Sequence, residues 1–565
     1  MKRTIATSTV DVAVVGGGIQ GATIACRVAQ AGFSVALFDK GDFAAATSAN
    51  SLKIIHGGIR YLQHGNIKRI RESIRCRREM MRLFPHLTRP LPCLMPVYGH
   101  GLRGRETMRL AFAFYDLIAF DRNRGLTEKK CLPPTGWLSP VNTAATIPGL
   151  ASAGLTGSAL WYDTLATNTE RLTLEYIKMA ARHGAMVANY CEATEPLIDH
   201  GRLHGFYVRD ILNGAEHKVN CRLLVNAACL FRQAGPWLER LAGSLSAMPA
   251  QSDAPPPRWA TAINLVVKKR FFGDYAVGLE GPDSFADPYS LVPRGKRLFF
   301  FVPWRGAYTM IGTNYGRWAG TGDFVAEALL SQMLADINRI YPAAALKPED
   351  VSFFHAGLLP IAAGDDGLDP MPELETKGRF IDHAEDGAAG LVSVNGVKYT
   401  TAPALASQLL RYLEKNHLAG LPRENRYQAT GREKPDFAAA LAALGSEYEK
   451  IEAHLMEGYG ESWRDVFRYV ASKPTEAAEP WLIPGLLRAE LRYFIHEEMA
   501  ITLADVVFRR TGLASAECPS EDVLRALAET MGAELAWDEA ESERQIQAVL
   551  AVFAPLKTLR GGSHV

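Results

Sequence analysis

The segment VDVAVVGGGIQGATIACRVAQAGFSVALFDK, residues 10–40, constrains the fold more than any other part of the chain. Val10–Val15 is a β-branched apolar run, which is typical of a buried strand. Apolar side chains from Ile19 to Ala29 then recur at helical spacing, and Ser34–Asp39 returns to an apolar strand. The segment therefore predicts a strand, a glycine turn, a helix and a second strand, the opening unit of an α/β domain.

The glycine turn of this unit has a recognisable spacing. Gly16, Gly18 and Gly21 form a G-x-G-x-x-G pattern, whose backbone approaches a pyrophosphate at the helix N-terminus. Asp39 ends the second strand, where a carboxylate can hold the ribose hydroxyls of a dinucleotide. The alternative is an ordinary tight turn in an α/β protein. The strands, the helix and the acid together favour dinucleotide binding.

The residues that follow favour FAD over NAD. A nicotinamide dehydrogenase usually continues with further βα units, whereas this chain continues with GDFAAATSANSLKIIHGGIRYL, residues 41–62. An extended loop of small residues suits a chain that runs beside a long, flat cofactor. We expect Gly57 and Gly58 to let the backbone come close to a ring system, because glycine has no side chain.

The same stretch carries Lys53, His56 and Arg60 among residues that prefer burial. Unpaired charge is costly to remove from water, so these side chains need partners or a ligand. We interpret the segment as facing a bound flavin.

Length, net charge and cysteine spacing limit the classes of protein to which the chain can belong. At 565 residues the chain exceeds one ordinary core, and a net charge of +1 gives no global attraction to nucleic acid or lipid. Its eight cysteines form no C-x-x-C pair, so we predict neither a metal site nor a disulfide framework, and we expect a reducing compartment. The N-terminal apolar run reads as a strand rather than a signal peptide, and no stretch approaches the roughly 20 apolar residues of a membrane span. These features predict a cytoplasmic protein without a nucleic-acid partner.

Later segments predict further elements. Residues 201–228 alternate like a β-meander that ends in a buried strand, and 297–313 reads as a hairpin that turns at Arg305-Gly306. From about residue 421 onward the apolar spacing is helical.

Several motifs together resemble one family. GGGIQGATIA, ATSANSLKIIHGGIRYL, VNAA…AGPW, FFFVPWRGAYTMIGT, VNGVKYTTAPALA and AELRYFIHEEMAITLADVVFRRTGLA are similar to the FAD-dependent glycerol-3-phosphate dehydrogenases, within the D-amino-acid-oxidase-like flavoproteins. The resemblance runs nearly from end to end. It implies FAD as cofactor and a fold of mixed class, α/β and α+β.

That fold would have three parts: a Rossmann-like FAD-binding domain of the glutathione-reductase type, an antiparallel-sheet substrate domain and a C-terminal helical domain. The FAD domain would be discontinuous, from 1–90, 151–240 and 345–420. The substrate or cap domain would take 91–150 and 241–344, and the helical domain 421–565.

The segment LVSVNGVKYTTAPALASQLL, 391–410, predicts a strand, a turn and a helix that opens near Thr400 and Thr401, two residues that can cap a helix. In a flavoenzyme the positive end of this helix would face the pyrimidine edge of the ring, and Lys398 would strengthen that effect or meet the substrate. The predicted cofactor-binding residues are Gly16, Gly18, Gly21, Asp39, Thr47, Ser48, Lys53, Gly57, Gly58, Gly396, Lys398, Thr400 and Thr401.

The resemblance also implies a substrate pocket. Arg60 would hold a substrate anion or hydroxyl, and Tyr61 and Thr313 would add hydrogen bonds. His56 has two open interpretations: a base that takes the hydroxyl proton while hydride leaves for the flavin, or a packing histidine. Lys398 completes the catalytic candidates.

Some positions depart from the family pattern. A substrate-facing arginine is replaced by Leu359, and a histidine of the preceding strand by Asn264. The family's G-T-T-D continues here as Gly312-Thr313-Asn314-Tyr315, and the turn after Ala228 carries the extra residues CLFRQ. A second family arginine has Lys377 and Arg379 as nearby candidates. Leucine cannot replace arginine in phosphate recognition, so a phosphorylated and a different substrate are both open.

The sequence thus predicts an FAD-dependent dehydrogenase that acts on a small hydroxylated substrate. An amine or amino-acid oxidase, and a flavin-bound protein without catalysis, are the alternatives. Quinone or oxygen would accept the electrons, and a homodimer is open. The basic helix predicted over 67–84, with Ile67, Ile70, Ile74 and Met81 at near-helical spacing, would either contact lipid at the inner face of the membrane or pack its apolar side against protein.

Overall fold

The computed structural model describes residues 1, 3–101, 104–228, 258–284, 296–318, 327–362, 364, 365, 367, 372–424, 444–473 and 480–561. Its strands are β1 (Ser8–Val15), β2 (Val35–Phe38), β3 (Ile54–Ile55), β4 (Thr88–Tyr98), β5 (Gly136–Leu138), β6 (Leu155–Ala166), β7 (Met186–Ala188), β8 (Cys191–Asp199), β9 (Arg202–Asp210), β10 (Glu216–Asn226), β11 (Trp259–Val267), β12 (Ala276–Ser284), β13 (Lys296–Trp304), β14 (Tyr308–Trp318), β15 (Val351–Pro360), β16 (Arg379–Asp382), β17 (Leu391–Asn395), β18 (Trp481–Ile483) and β19 (Leu486–Leu487). Its helices are α1 (Ile19–Gln30), α2 (Ile67–Leu83), α3 (Arg105–Ile118), α4 (Pro140–Thr146), α5 (Thr169–Arg182), α6 (Glu327–Ile340), α7 (Ala402–Asn416), α8 (Glu447–Tyr459), α9 (Trp463–Ala471), α10 (Arg488–Glu498), α11 (Glu521–Leu535), α12 (Glu539–Ala551) and α13 (Ala554–Leu559).

The first sheet has a parallel core, in the order β17, β10, β1, β2 and β7. The predicted strand, glycine turn, helix and strand of residues 10–40 are confirmed as β1, α1 and β2. The predicted meander is confirmed as β9 and β10, which pair antiparallel before β10 enters the parallel core. One face of the core is covered by α1, α5 and α7, and the other by the β8–β9 hairpin.

The second sheet has nine strands, in the order β15, β11, β14, β13, β12, β4, β6 and β3, with β5 added beside β6. Its pairings are antiparallel except between β12 and β4. The predicted hairpin is confirmed as β13 and β14, which turn at 305–307.

Membership in the two sheets differs from the predicted domain boundaries at two places. The segments 151–240 and 345–420, predicted for the FAD-binding part, contain β6 and β15, and both strands pair within the second sheet. β6 runs antiparallel to β4 over its whole length, and this pairing makes it a strand of the second sheet. The chain therefore returns to the first sheet after residue 166 rather than at 151, and after residue 360 rather than at 345.

The C-terminal region is mainly helical, as predicted, with a small β18–β19 hairpin and a π-helical turn at Asp505–Arg510. Buried ion pairs fasten it to the first sheet. Arg171 of α5 places its guanidinium 3.1 and 3.2 Å from the carboxylate of Glu498. Arg509 and Arg510 both donate to Asp42, at 2.6 Å, in the loop after β2.

The basic helix predicted over 67–84 is confirmed as α2, but three of its four named apolar residues are not available to lipid. Ile70, Ile74 and Met81 are buried against protein, whereas Ile67 at the start of the helix is 47% exposed. The arginines Arg71 and Arg78 pair with Asp121. The packing interpretation of this helix is therefore correct. Within the described part of the chain, no helix is both long and apolar enough to cross a bilayer.

Candidate active site

The nucleotide end of the site is built around the start of α1. Gly18 is the N-cap residue and offers no side chain, and the first turn carries no acidic residue. A Cβ at Gly18 would find only the Ser48 hydroxyl within 4 Å, at 3.1 Å. The helix end is thus open to an anion, which fits a pyrophosphate there.

Two other glycines of the turn are required for packing. Gly16 has a φ of +103°, and a side chain at this position would meet the backbone of Ala227 and Ala228. A side chain at Gly21 would overlap the carbonyl of Gly16. The tight turn brings α1 close to β1 and to the end of β10.

Asp39 organises the loop beside this turn. Its Oδ2 accepts the amide of Gly17 at 2.6 Å, and its Oδ1 accepts the amide of Gly41 at 2.9 Å. Each oxygen keeps a second lone pair that can accept a ribose hydroxyl. Burial raises the pKa of the Asp39 carboxyl to about 6, although both amide hydrogen bonds favour the charged form.

The loop after Asp39 joins the two sheets. The Ser48 hydroxyl accepts the amide of Ile19 at 2.9 Å, and the Thr47 hydroxyl donates to the carbonyl of Leu358 at 3.2 Å. Thr47 also lies against Gly357 of β15. These two predicted cofactor residues therefore line the path between the start of α1 and the second sheet.

The predicted flavin end lies at the start of α7. Thr401 is the N-cap residue, and its side chain makes no capping hydrogen bond. Thr400 instead accepts the backbone amide of His56 at 3.1 Å. Gly396 leaves room for the side chain of Gln20, whose amide lies 3.4 Å from the carbonyl of Lys398. The turn that ends in α7 thereby contacts α1.

Two predicted catalytic residues meet in front of this turn. The Lys398 ammonium contacts the hydroxyl of Tyr61 and lies 4.6 Å from the centre of its ring. Arg69 covers the same ring at 5.4 Å. Arg60, in the same 3₁₀ turn, is exposed and makes no ion pair within the residues that the structure describes.

His56 has a buried acidic partner that the sequence did not predict. Its Nδ1 lies 3.2 Å from Oδ2 of Asp163, while more than half of its side chain is exposed. Oδ1 of Asp163 accepts the amide of Gly57 at 2.6 Å and Arg77 at 2.7 Å. Burial alone would raise the pKa of Asp163, but the bond to His56 and the charges of His56 and Arg77 hold it below the ordinary value. Two sequence features could have indicated this partner: a single Asp in the apolar strand β6 and a single Arg on the buried side of α2.

Lys53 and the glycine pair have different partners from those predicted. The Lys53 ammonium is buried and bonds to the Ala49 carbonyl, the Thr169 hydroxyl and the Glu170 carboxylate, so all three of its N–H groups are used inside the protein. The ammonium of this predicted cofactor-binding residue therefore has no N–H group left for a ligand.

A side chain at Gly57 would overlap the Arg77 guanidinium and the Tyr115 hydroxyl, and Gly58 has a φ of +79° at the start of a 3₁₀ turn. Packing and turn geometry are thus sufficient reasons for both glycines, and the approach of a ring system to them stays a prediction.

The departures Asn264, Asn314 and Leu359 lie in the second sheet, on β11, β14 and β15. Thr313 donates to the amide oxygen of Asn264 at 2.8 Å, and Asn264 is buried between β14 and β15. Leu359 is half-buried on β15. Arg379 is exposed and pairs in register with Asn395, one residue before the Gly396 turn. The extra residues CLFRQ after Ala228 lie outside the described residues.

Comparisons with known proteins agree with this arrangement. A family model described as FAD dependent oxidoreductase matches residues 11–412, and one described as C-terminal domain of alpha-glycerophosphate oxidase matches 426–542. The chain is 29% identical to a glycerol-3-phosphate dehydrogenase of Synechocystis, over 95% of each protein. It is 29% identical to the aerobic glycerol-3-phosphate dehydrogenase of Bacillus subtilis, over 89% of this chain and 87% of that protein. The crystal structure of the glycerol-3-phosphate dehydrogenase from Bacillus halodurans, complexed with FAD, superposes with a TM-score of 0.68 at 23% identity, over 99% of this chain and 96% of that one.

A parallel sheet with this glycine turn is the architecture of a dinucleotide-binding enzyme, and the family match over residues 11–412 makes it a flavin-dependent redox enzyme. The chain belongs to the family of FAD-dependent oxidoreductases. FAD is its cofactor, and the predicted fold class and family are confirmed.

Proposed function

We propose that the protein oxidises the secondary alcohol of glycerol 3-phosphate, and that Arg60, Tyr61, His56 and Lys398 form its substrate pocket. The observation that carries the proposal is the joining of two distant segments. The His56 amide donates to the Thr400 hydroxyl and the Lys398 ammonium to the Tyr61 hydroxyl, and these bonds unite residues more than 330 positions apart at the start of α7. The relatives named as glycerol-3-phosphate dehydrogenases align over almost the whole chain, which supports the same substrate.

Gly18, Asp39, Thr47, Ser48 and the start of α7 would hold FAD. When bound, FAD supplies the two-electron acceptor for the hydrogen on the alcohol carbon. The imidazole of His56 receives the hydroxyl proton at Nε2, because Nδ1 faces Asp163. Lys398 and Tyr61 hold the substrate oxygen by donating hydrogen bonds.

Position 359 is leucine, so other cationic side chains have to bind the phosphate. Arg60 and Arg379 are exposed and make no ion pair within the described residues, so both guanidinium groups are available to an anion. Arg379 lies opposite Asn395, beside the turn that carries Lys398. We assign the phosphate to these two side chains.

Anaerobic bleaching of the flavin tests the proposal. We expect saturable bleaching with glycerol 3-phosphate, little with glycerol, and none with amines or amino acids. Arg379→Ala should raise the half-saturating concentration of glycerol 3-phosphate, whereas Arg209→Ala, on a surface strand of the first sheet, should not. Equal bleaching by glycerol would reject the phosphate assignment, and bleaching by an amine would support the oxidase alternative.

We also propose that the protein contacts anionic lipid through α3 and passes electrons to membrane quinone. Three side chains on one face of α3 are strongly exposed: Leu110 by 74%, Phe114 by 46% and Leu117 by 70%. Phe120, just after the helix, is 78% exposed, and the Arg71 guanidinium covers its ring at 5.0 Å. Arg71 is itself paired with Asp121, but Arg109 of α3 is exposed, and an exposed apolar face beside such an arginine complements a surface of negative lipid headgroups.

Flotation with vesicles tests this contact. We expect binding to vesicles that contain phosphatidylglycerol and little binding to neutral ones. Leu117→Glu should abolish flotation without affecting flavin bleaching, and Leu212→Glu, an equally polar change at an exposed leucine of the first sheet, serves as the control. Flotation by Leu117→Glu at the parent level would exclude α3 as the lipid-binding face. If oxygen reoxidises the flavin faster than a soluble quinone does, quinone is excluded as the electron acceptor.

A further inference from the structure

We infer that Asp163 is a positioning residue that fixes the tautomer of His56, with Arg77 and the Gly57 amide fixing Asp163 in turn. The inference rests on the proposed function, because it assigns a partner to the proton-accepting group of that reaction. Asp163 would touch neither substrate nor cofactor and would act only through the imidazole.

The backbone places the two residues opposite each other. β3 pairs antiparallel with β6, with Ile54 beside Leu165 and Ile55 beside Thr164. Continuing this register by one residue sets His56 across from Asp163, and the observed distance between Nδ1 and Oδ2 is 3.2 Å. The His56 amide is held by Thr400, and the Gly57 carbonyl accepts the Tyr115 hydroxyl at 3.2 Å. The peptide that carries the imidazole is therefore fixed on both sides.

The two carboxylate oxygens of Asp163 have different partners. Oδ1 receives two short bonds, from the Gly57 amide at 2.6 Å and from Arg77 at 2.7 Å. Oδ2 faces His56 Nδ1 and, at 3.4 Å, the indole N–H of Trp161. Both oxygens of an ionised carboxylate only accept hydrogen bonds, so Nδ1 must carry the proton. Nε2, on the exposed side of the ring, is then the nitrogen with a free lone pair.

Arg77 explains why this carboxylate can be buried. Its guanidinium is itself buried, and it also donates to the Tyr162 carbonyl at 2.9 Å. The guanidinium supplies the countercharge of the carboxylate, so the burial of Asp163 does not depend on a positive charge on the ring.

The geometry predicts how the asparagine of an Asp163→Asn variant would sit. Its carbonyl oxygen would have to take the Oδ1 place, because an NH₂ group there would face two donors at short range. The NH₂ group would then point at His56 Nδ1 and force the proton onto Nε2. His56 would thereby lose the free lone pair that takes the hydroxyl proton.

The experiment compares Asp163→Asn with the parent in steady-state oxidation of glycerol 3-phosphate, with a soluble quinone that reoxidises the flavin. We expect kcat to fall about 10²- to 10³-fold, in the range that general base catalysis contributes, with KM changed less than threefold. In a His56→Ala background the same exchange should change kcat less than threefold, since the group that it positions is absent. Asp121→Asn, which also removes a carboxylate paired with two arginines, should leave kcat at the parent value.

A second variant tests the inference if Asp163→Asn alone fails to fold. Asp163→Asn combined with Arg77→Gln leaves no unpaired buried charge, and the Gly57 amide still fixes the orientation of the asparagine. We expect it to retain FAD and to show the same loss of kcat. A parent-like kcat in either variant, an equal loss in the His56→Ala background, or loss of FAD from both variants would overturn the inference. A parent protein that glycerol 3-phosphate does not reduce would instead refute the proposed function.

Discussion

The contact between the C-terminal region and the nucleotide loop should control cofactor affinity. Arg510 donates to both oxygens of Asp42, at 2.6 and 2.9 Å, and to the carbonyl of Glu498 at 2.6 Å. Burial disfavours the ionised form of Asp42, but Arg510 and Arg509 lower the pKa of its carboxyl to about 2. Removal of one partner from a buried ion pair costs about 3–5 kcal/mol. Arg509 stays in Arg510→Met, so we expect a cost near the lower limit, about 3 kcal/mol.

This cost reaches the cofactor through a short piece of chain. Asp42 follows Gly41, whose amide holds Asp39, and it precedes Phe43, whose ring lies against Gly17. If FAD binding has to restore the order of this loop, the full 3 kcal/mol corresponds to a roughly 100-fold larger dissociation constant for FAD. We expect a loss between about 10- and 100-fold, because part of the loop remains held by its own hydrogen bonds.

The assay is titration of the apoprotein with FAD, followed by flavin fluorescence. Arg209→Met, which breaks an exposed pair with Glu192, is the matched control and should change affinity by less than about 0.5 kcal/mol. The double variant Asp42→Asn, Arg510→Met should recover part of the loss, because it removes the charge left behind. Parent-like FAD affinity in Arg510→Met would show that the C-terminal region does not stabilise the nucleotide loop.

Two further predictions concern the site itself. The raised pKa of Asp39, about 6, means that its carboxylate accepts ribose hydroxyls fully only above that pH, so FAD affinity should fall as the pH drops from 7 to 5. Asp39→Asn should bind FAD weakly with no such slope, and a parallel slope in that variant would contradict the assignment. Lys398→Ala should keep FAD but slow its reduction about 30-fold, equivalent to about 2 kcal/mol for a half-buried charge, as followed by stopped-flow absorbance. A parent-like rate would place the substrate pocket elsewhere.

The parts of the fold that depend on neighbouring residues were predictable. The β1–α1–β2 unit, the β13–β14 hairpin and the start of α7 each follow from a hydrophobic period and a turn within about 30 residues. The glycine turn and Asp39 were identified for the same reason. Local sequence was therefore enough to find the elements that build this end of the molecule.

The roles of Lys53, Gly57 and His56 were not predictable in the same way. Lys53 pairs with Glu170, and His56 with Asp163, across more than 100 residues of chain. A single sequence shows that a buried charge needs a partner but not which residue supplies it. The sheet to which β6 belongs was missed for a related reason, because its pairing with β4 joins residues that are far apart in the chain.

The ion pairs that join Asp42 to Arg509 and Arg510 also set an order of events during synthesis. The ribosome adds more than 460 residues after Asp42 before its two arginine partners exist. Until then the nucleotide loop holds a carboxylate whose charge is unbalanced, and the loop has no reason to leave water. We therefore expect tight binding of FAD only after Arg509 and Arg510 have been synthesised and have reached Asp42, which would make cofactor loading a late step in the folding of these regions.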